Sequence, residues 1–479
     1  MKDIVVKTTA GNRAQISAEL LAAFRGSLRG TLALPGDEGY EEARTLWNAM
    51  IDRRPAAVVR AKTAEDIVET VKLAARHDLL LAVRGGGHNI AGNASCEDGL
   101  LLDLSLMRRV EVDRAARTAK VEPGARLADL DKATQEFGLA TPVGINSTTG
   151  VAGLTLGGGF GWLSRKHGLT IDNLVSAEVV TAAGTLLRAS ATENPDLFWA
   201  IRGGGGNFGV VTSFNLALHP VGPEVLAGLI VHPFADAKRV LTEYRKAVAA
   251  APDELCCWVV MRKAPPLPFL PAEVHGTEVV VLALCYVGDL EAGRKAVAPF
   301  QAIGKPIADV IGPSPYAGWQ TAFDPLLTPG ERNYWKSHDF TALSDGLIDL
   351  LIDAVTTLPT PACEIFIASV GGAINRVAAD ATAYPHRRVE FIMNVHTRWT
   401  DAKDDARCIG WGRDVYERVA PFATGGVYVN FMPGDEAARV RAGAYGGNYE
   451  RLARLKTRYD PKNLFRLNQN VGPAEAVAT

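Results

Sequence analysis

Asp196-Leu197-Phe198-Trp199-Ala200-Ile201-Arg202-Gly203-Gly204-Gly205-Gly206-Asn207-Phe208-Gly209 runs directly into Val210-Val211-Thr212-Ser213-Phe214, and the order of those pieces governs how the chain is read. The stretch contains the spacing Gly204-x-Gly206-x-x-Gly209 of a dinucleotide fingerprint. That fingerprint works when a strand enters the glycine turn and a helix leaves it, because the helix N-terminus then faces the pyrophosphate. Here the helix-like piece comes first and the strand-like piece follows, so a nicotinamide-type domain is not expected. A phosphate loop ending in Gly-Lys-Ser/Thr is also missing from the sequence, which argues against a nucleoside triphosphatase.

Working outward, the 47 glycines concentrate in three clusters, 85–92, 144–168 and 203–209. Glycine lacks the side chain that would hold a ligand away, so such crowding marks places where backbone approaches one. Between the clusters, apolar and polar runs predict a helix over Ala64 to His77 and strands over Leu79 to Val83, Leu100 to Leu104 and Thr118 to Val121. A second helix is expected over Leu127 to Phe137. After His219-Pro220 the glycine clusters stop, and strands are expected at Val279 to Tyr286, Glu364 to Val370 and Val389 to Val395, interleaved with helices. Leu267 to Pro271 and Gly312 to Pro315 read as loops, because proline lacks the N–H a sheet requires. The chain is thus α+β, with a boundary near residue 220.

Composition narrows the function. With 479 residues, 47% hydrophobic and 22% charged, the sequence has the make-up of a globular protein of more than one domain. Lys plus Arg (51) nearly balances Asp plus Glu (53), so neither a nucleic acid nor an anionic membrane is an expected partner. The polar start Met1-Lys2-Asp3 lacks a secretory signal, and the apolar run at 279–284 is too short to span a bilayer. A cytoplasmic location and no transmembrane segment are expected. The six cysteines show no Cys-x-x-Cys spacing and read as free, mostly buried thiols, and no metal site is expected.

Taken together, Arg84-Gly85-Gly86-Gly87-His88, Gly150-Val151-Ala152-Gly153-Leu154-Thr155-Leu156-Gly157-Gly158-Gly159-Phe160-Gly161, Arg165-Lys166-His167-Gly168 with Asp172-Asn173, and the 196–209 stretch form a pattern. A closing segment runs from Asn448-Tyr449-Glu450-Arg451-Leu452 through Tyr459-Asp460-Pro461 to Asn468-Gln469-Asn470. The pattern resembles the FAD-binding (PCMH-type) domain of the vanillyl alcohol oxidase superfamily and, within it, the berberine bridge enzyme-like oxidases. The resemblance implies an FAD domain of two α/β subdomains over 1–218, with its core at about 50–220. It implies a substrate domain over 219–434, an antiparallel sheet covered by helices, and a C-terminal segment, 435–479, that returns to the FAD domain. It implies FAD contacts from Arg84, Gly85, Gly86, Gly87, His88, Asn89, Asn146, Thr149, Gly150, Gly153, Gly157, Gly158, Gly161, Asn173, Gly209, Val211, Asn430, Asn468 and Asn470. His88 falls where the family carries its histidyl-flavin bond. Asn146 stands where many relatives have a cysteine that makes a second bond, so a link through His88 alone is expected.

The same resemblance raises a difficulty about the proton. Relatives commonly take it with the second aromatic of a Tyr-x-Asn-Tyr stretch, and this chain reads Tyr428-Val429-Asn430-Phe431. A base must come from elsewhere, and imidazole is suited to the task near neutrality. His167, between two glycine clusters, is the first candidate. His396 is the second: strand alternation over 389–399 puts Phe391, Met393 and Val395 on one face and Ile392, Asn394, His396 and Arg398 on the other. Asn394 matches a substrate-facing position of the family; for His396 and Arg398 a solvated sheet face is the alternative. Tyr428 is retained as a site residue. Thr149, near valine in shape, occupies a position where relatives control oxygen access. The expected activity is oxidation of a CH–OH or CH–NH group of a small sugar-like, aromatic or secondary-metabolite molecule, with dioxygen as acceptor and hydrogen peroxide as product. A dehydrogenase using another acceptor, or a flavin-binding protein without turnover, are the alternatives.

Overall fold

A computed structural model of the protein describes residues 2–475; Met1 and the last four residues of the expected 435–479 segment lie outside the described residues. Helix Ala64–Arg76 begins at a capping box, Thr63 and Asp66 each satisfying the other's backbone N–H. Its apolar face covers a four-stranded sheet ordered Thr31–Ala33, Ala57–Arg60, Leu100–Asp103, Leu81–Arg84, in which the last three strands are parallel. A five-stranded antiparallel sheet follows, ordered Leu186–Ser190, Leu174–Val180, Val210–Ala217, Thr118–Val121, Val110–Asp113. Helix Pro195–Ile201 enters the glycine turn and strand Val210–Ala217 leaves it, the order read from the sequence.

The third sheet is antiparallel and runs Ala308–Asp309, Glu224–Pro233, Glu278–Tyr286, Leu255–Lys263, Glu364–Ser369, Phe391–Trp399, Arg332–Phe340. Helices Ala237–Ala250, Leu290–Gln301, Asp345–Val355 and Asp405–Val419 cover one of its faces, and Phe391, Met393 and Val395 point into that core. The other face looks toward the glycine turns. Gly312–Pro315, expected as a loop, forms a short strand paired with Glu224–Ala227. It lies outside the seven-strand path, an edge position where proline's missing N–H breaks no ladder.

The chain returns to the first half earlier than residue 435. Val427, Val429 and Met432 already belong to the core built on Val211, Phe214, Leu197 and Trp199, which Ala444, Tyr445, Leu452 and Val471 complete. Lys456 fastens this return. Fully buried, its Nζ donates to the Asn207 and Phe465 carbonyls (2.7 and 2.9 Å) and to Asp460 Oδ2 (2.7 Å). Asn207 in turn accepts from Val471 N–H and donates to the Gln469 carbonyl.

Candidate active site

A single long cavity lies between the glycine turns and the open face of the third sheet. Of the residues expected to bind cofactor, Gly85, Gly86, Gly87, His88, Asn89, Asn146, Thr149, Gly150, Gly153, Gly157, Gly209, Val211, Asn430 and Asn468 line it. Its glycines act in two ways. A Cβ on Gly86 would stand 2.3 Å from Gly150 N, and one on Gly150 2.4 Å from Gly86 N, so these turns meet backbone to backbone. At Gly153 a Cβ would meet nothing within 4 Å, and at Gly206 only Asn468 Nδ2 at 3.9 Å. That space is open to a ligand, and the consecutive turns fit the pyrophosphate and flat ring of FAD.

Other expected contacts lie outside the lining. Arg84 is turned to the Ala43 carbonyl and lies 3.9 Å from Asp103, so it braces the strand end. Gly158 and Gly161 are needed for packing: a Cβ at Gly161 would sit 1.8 Å from the Val143 carbonyl oxygen, and Gly158 has φ +130° beside Tyr428. Asn173 donates to the His167 and Leu169 carbonyls and bonds His219, while Asn470 is absent from the lining.

His88 follows Gly87 (φ +75°) and stacks on Trp47, ring centroids 4.8 Å apart. Its hydrogen bonds fix the tautomer. Asn146 Nδ2 donates to the Leu327 carbonyl, so its Oδ1 accepts, and the Thr148 hydroxyl donates to it at 2.6 Å. Having given its only proton there, Thr148 Oγ1 must accept from His88 Nε2, 2.9 Å away. The lone pair of His88 is therefore on Nδ1. Burial and the nearby Arg126 push the imidazole pKa down to about 3, which keeps that lone pair unprotonated at neutral pH. Cys96 is buried in a separate cluster with Tyr40 and Leu101 and does not line the cavity.

Of the two candidate histidines, only His396 lines the cavity. His167, the first candidate base, is turned away from the cavity and stacked on His219 at 3.8 Å. Asn173 donates to the His167 main-chain carbonyl and bonds the ring of His219 on which His167 stacks. Burial, His219 and Lys166 carry its pKa down to about 4. His396 lines the cavity, packed against Trp335 and Phe366. His396 and Arg398 are buried, so neither belongs to a solvated sheet face. Asn394 is on the same face but fully buried and outside the lining, its amide without a partner, opposite Ser337.

His396 Nδ1 lies 3.1 Å from Glu364 Oε1, and Glu364 Oε2 takes a 2.7 Å ion pair from Arg262. Burial by itself would raise the Glu364 carboxyl, but Arg262, the His396 hydrogen bond and Arg398 hold it well below the usual carboxylate range. An ionised carboxylate only accepts, so His396 carries its proton on Nδ1 and offers the Nε2 lone pair. Nε2 is buried with no protein partner. Burial lowers the imidazole pKa, an effect Glu364 partly offsets. Tyr428 also lines the cavity; its oxygen accepts from Gly159 N–H (2.9 Å) and Asn430 Nδ2 (3.0 Å). Burial raises its pKa to about 12, so it stays protonated near neutrality. Phe431 completes an aromatic wall with Trp335 and Phe366. Trp47, Trp335, Glu364 and Arg262 carry no motif; only the strand register brings Glu364 opposite His396 and Arg262.

This fold and cavity define an FAD-linked oxidoreductase. Residues 55–190 match the family model described as FAD binding domain, and residues 427–472 the model described as berberine and berberine like. The chain belongs to the berberine bridge enzyme-like family. It is 33% identical over 465 residues to an FAD-linked oxidoreductase of Dictyostelium discoideum, covering 96% of this chain and 98% of that one. It is 30% identical over 460 residues to the xylooligosaccharide oxidase of Thermothelomyces thermophilus, covering 90% and 89%. The solved structure of 6-hydroxy-D-nicotine oxidase from Arthrobacter nicotinovorans superposes with a TM-score of 0.84 at 26% identity, covering 94% and 99%. Among the described residues no helix is long and apolar enough to cross a membrane.

Proposed function

We propose that the protein is an oxidase that removes a hydride from a CH–OH or CH–NH carbon, with His396 as the base and dioxygen as the acceptor. The observation that carries this reading is the buried His396–Glu364 pair on the cavity wall, with Nε2 of His396 left without a protein partner. A neutral alcohol is a poor hydride donor, and a base on its oxygen removes that obstacle. His396 Nε2 takes the proton, and the charge that develops on the ring is met by Glu364, itself held ionised by Arg262. Tyr428 orients the substrate as a hydroxyl donor, with its oxygen fixed by Gly159 and Asn430.

The glycine turns at 85–87, 150–157 and 205–209, with Asn430 and Asn468, would hold FAD. His88 would carry it covalently through Nδ1, the nitrogen that the Thr148–Asn146 relay leaves free. Asn146 thus has a use of its own at the position where relatives have cysteine. Held there, FAD would supply the hydride acceptor, and reoxidation by dioxygen would give hydrogen peroxide. Thr149 is beside His88, 3.5 Å from Nδ1, and its near-valine size leaves the oxygen path open. The test is anaerobic addition of candidate alcohols and amines to the yellow protein, followed by air. Bleaching and then rapid recovery of colour with one equivalent of peroxide is expected. Recovery only with a dye makes it a dehydrogenase; no bleaching by any compound removes the proposal.

A further inference from the structure

Beyond His396 the cavity continues across the sheet, and strand register traces its floor. One row runs His396, Glu364, Arg262, Val279 on neighbouring strands; the next runs Phe366, Val260, Val281, Val231; a third holds Trp258, Ala283, Leu229. All of these residues line the cavity. Four interstrand steps of about 4.8 Å separate the His396 strand from the Val231 strand, a reach of about 19 Å. Leu267 and Leu270 of the proline-rich loop cover the far end, and Phe323 and Leu326 form the opposite wall.

The charged groups along this floor, Glu364 and Arg262, are already engaged with each other. Arg262 gives its guanidinium to Glu364, the Pro361 carbonyl and the Lys263 carbonyl. Past Arg262, the floor residues among those described are apolar except for the Trp258 indole N–H, which has no partner. An oligosaccharide placed here would lose water from many hydroxyls and find one donor in exchange, a loss repeated for each buried hydroxyl. Apolar carbon loses nothing comparable and gains by leaving water.

We infer that the substrate is an extended, largely apolar alcohol or amine, whose oxidisable carbon sits at His396 and whose hydrocarbon tail lies along Val260, Val281 and Leu229. At most one acceptor oxygen on the tail would meet Trp258. This rests on the oxidase reading, since it takes His396 as the reacting end.

Calorimetric titration of the FAD-loaded protein with 1-phenylalkanones of rising chain length tests the tail site without turnover, because the carbonyl carbon is already oxidised. At about 0.8 kcal/mol per buried CH₂, Kd should fall about fourfold for each added methylene until the channel is full, with an increasingly negative heat-capacity change. Val281→Trp should end that improvement at a shorter chain while leaving phenylethanone unchanged. Leu270→Arg, at the covering loop, should weaken only the long members and serves if Val281→Trp does not fold. A Kd independent of length, or tighter binding of xylobiose than of the phenylalkanones, overturns the inference. His396→Gln should shift Kd by one common factor across the series and keep the same improvement per methylene. If His396→Gln, mixed anaerobically with the corresponding 1-phenylalkanols, still reduces FAD at wild-type rate, the base assignment fails while the tail site stands.

Discussion

Replacing His396 by Gln preserves size and one hydrogen bond to Glu364 but takes away a nitrogen that accepts a proton near neutrality. Burial keeps the His396 pKa below its ordinary value of about 6.5, so at pH 7.5 about nine-tenths or more of the wild type carries the base form. The whole base contribution, about a hundred- to ten-thousandfold, is then at stake, equivalent to about 3–5.5 kcal/mol of barrier. Glu364 acts through the imidazolium. A hydrogen bond to a charged group is worth about 1.5–3 kcal/mol, so Glu364→Gln should slow the same step about ten- to hundredfold. It also leaves Arg262 without its counter-ion. The assay is anaerobic stopped-flow reduction of the bound flavin with FAD content measured in parallel, repeated from pH 5 to 9. Wild-type reduction should be flat above the His396 pKa and fall as pH drops through it, at a midpoint below about 6.5, because protonation of Nε2 removes the acceptor. A His396→Gln protein that reduces within about threefold of wild type would refute the reasoning, and a large loss in His167→Gln alone would hand the role to a residue outside the cavity.

Acid precipitation of the wild type should leave the yellow colour with the protein, whereas His88→Ala should release FAD; Thr148→Val, which frees the His88 tautomer, should slow attachment without abolishing binding. Lys456→Met removes the counter-ion of the buried Asp460 carboxylate and a donor from two carbonyls, so it should cost about 3–5 kcal/mol and lower flavin content, read by thermal melting and absorbance. Burial raises the Asp131 pKa to about 7, with the Gln320 amide offsetting this only in part. The native state therefore holds a proton there that the unfolded chain releases near pH 4, and stability falls as pH rises from about 4 to 7. Asp131→Asn should accordingly raise the melting temperature at pH 8 and leave it nearly unchanged at pH 4.

Glycine clustering, the order of helix and strand around Gly203 to Gly209, and strand alternation made the architecture and the cavity's glycine lining legible in the sequence. These are local signals. The alternation at 389–399 likewise put His396 and Phe391 on opposite faces, as the structure has them. What puts His396, and not His167, on the cavity wall is non-local. His167 is in a motif, yet its ring stacks on His219, away from the cavity. Glu364, 32 residues from His396 in sequence, becomes its partner only through strand register. Arg84, Gly158, Gly161 and Asn173 belong to the motif because the turns must pack, a role indistinguishable in sequence from touching a ligand. Tyr428 to Met432 reads as site sequence, yet Val427, Val429 and Met432 also fill the first core, a packing role that only the folded chain displays.

The Lys456 fastening carries a consequence for synthesis. The turns at 85–87, 150–157 and 205–209 leave the ribosome long before the segment from Val427 onward that closes the core beneath them. With roughly two hundred residues between the two and elongation at about 5–20 residues per second, the delay is about 10–40 s. During that interval the nascent chain exposes Phe214, Leu197 and Trp199 without their final cover. The cavity that these turns line is thus complete only once the segment carrying Asn430 and Asn468 has been made.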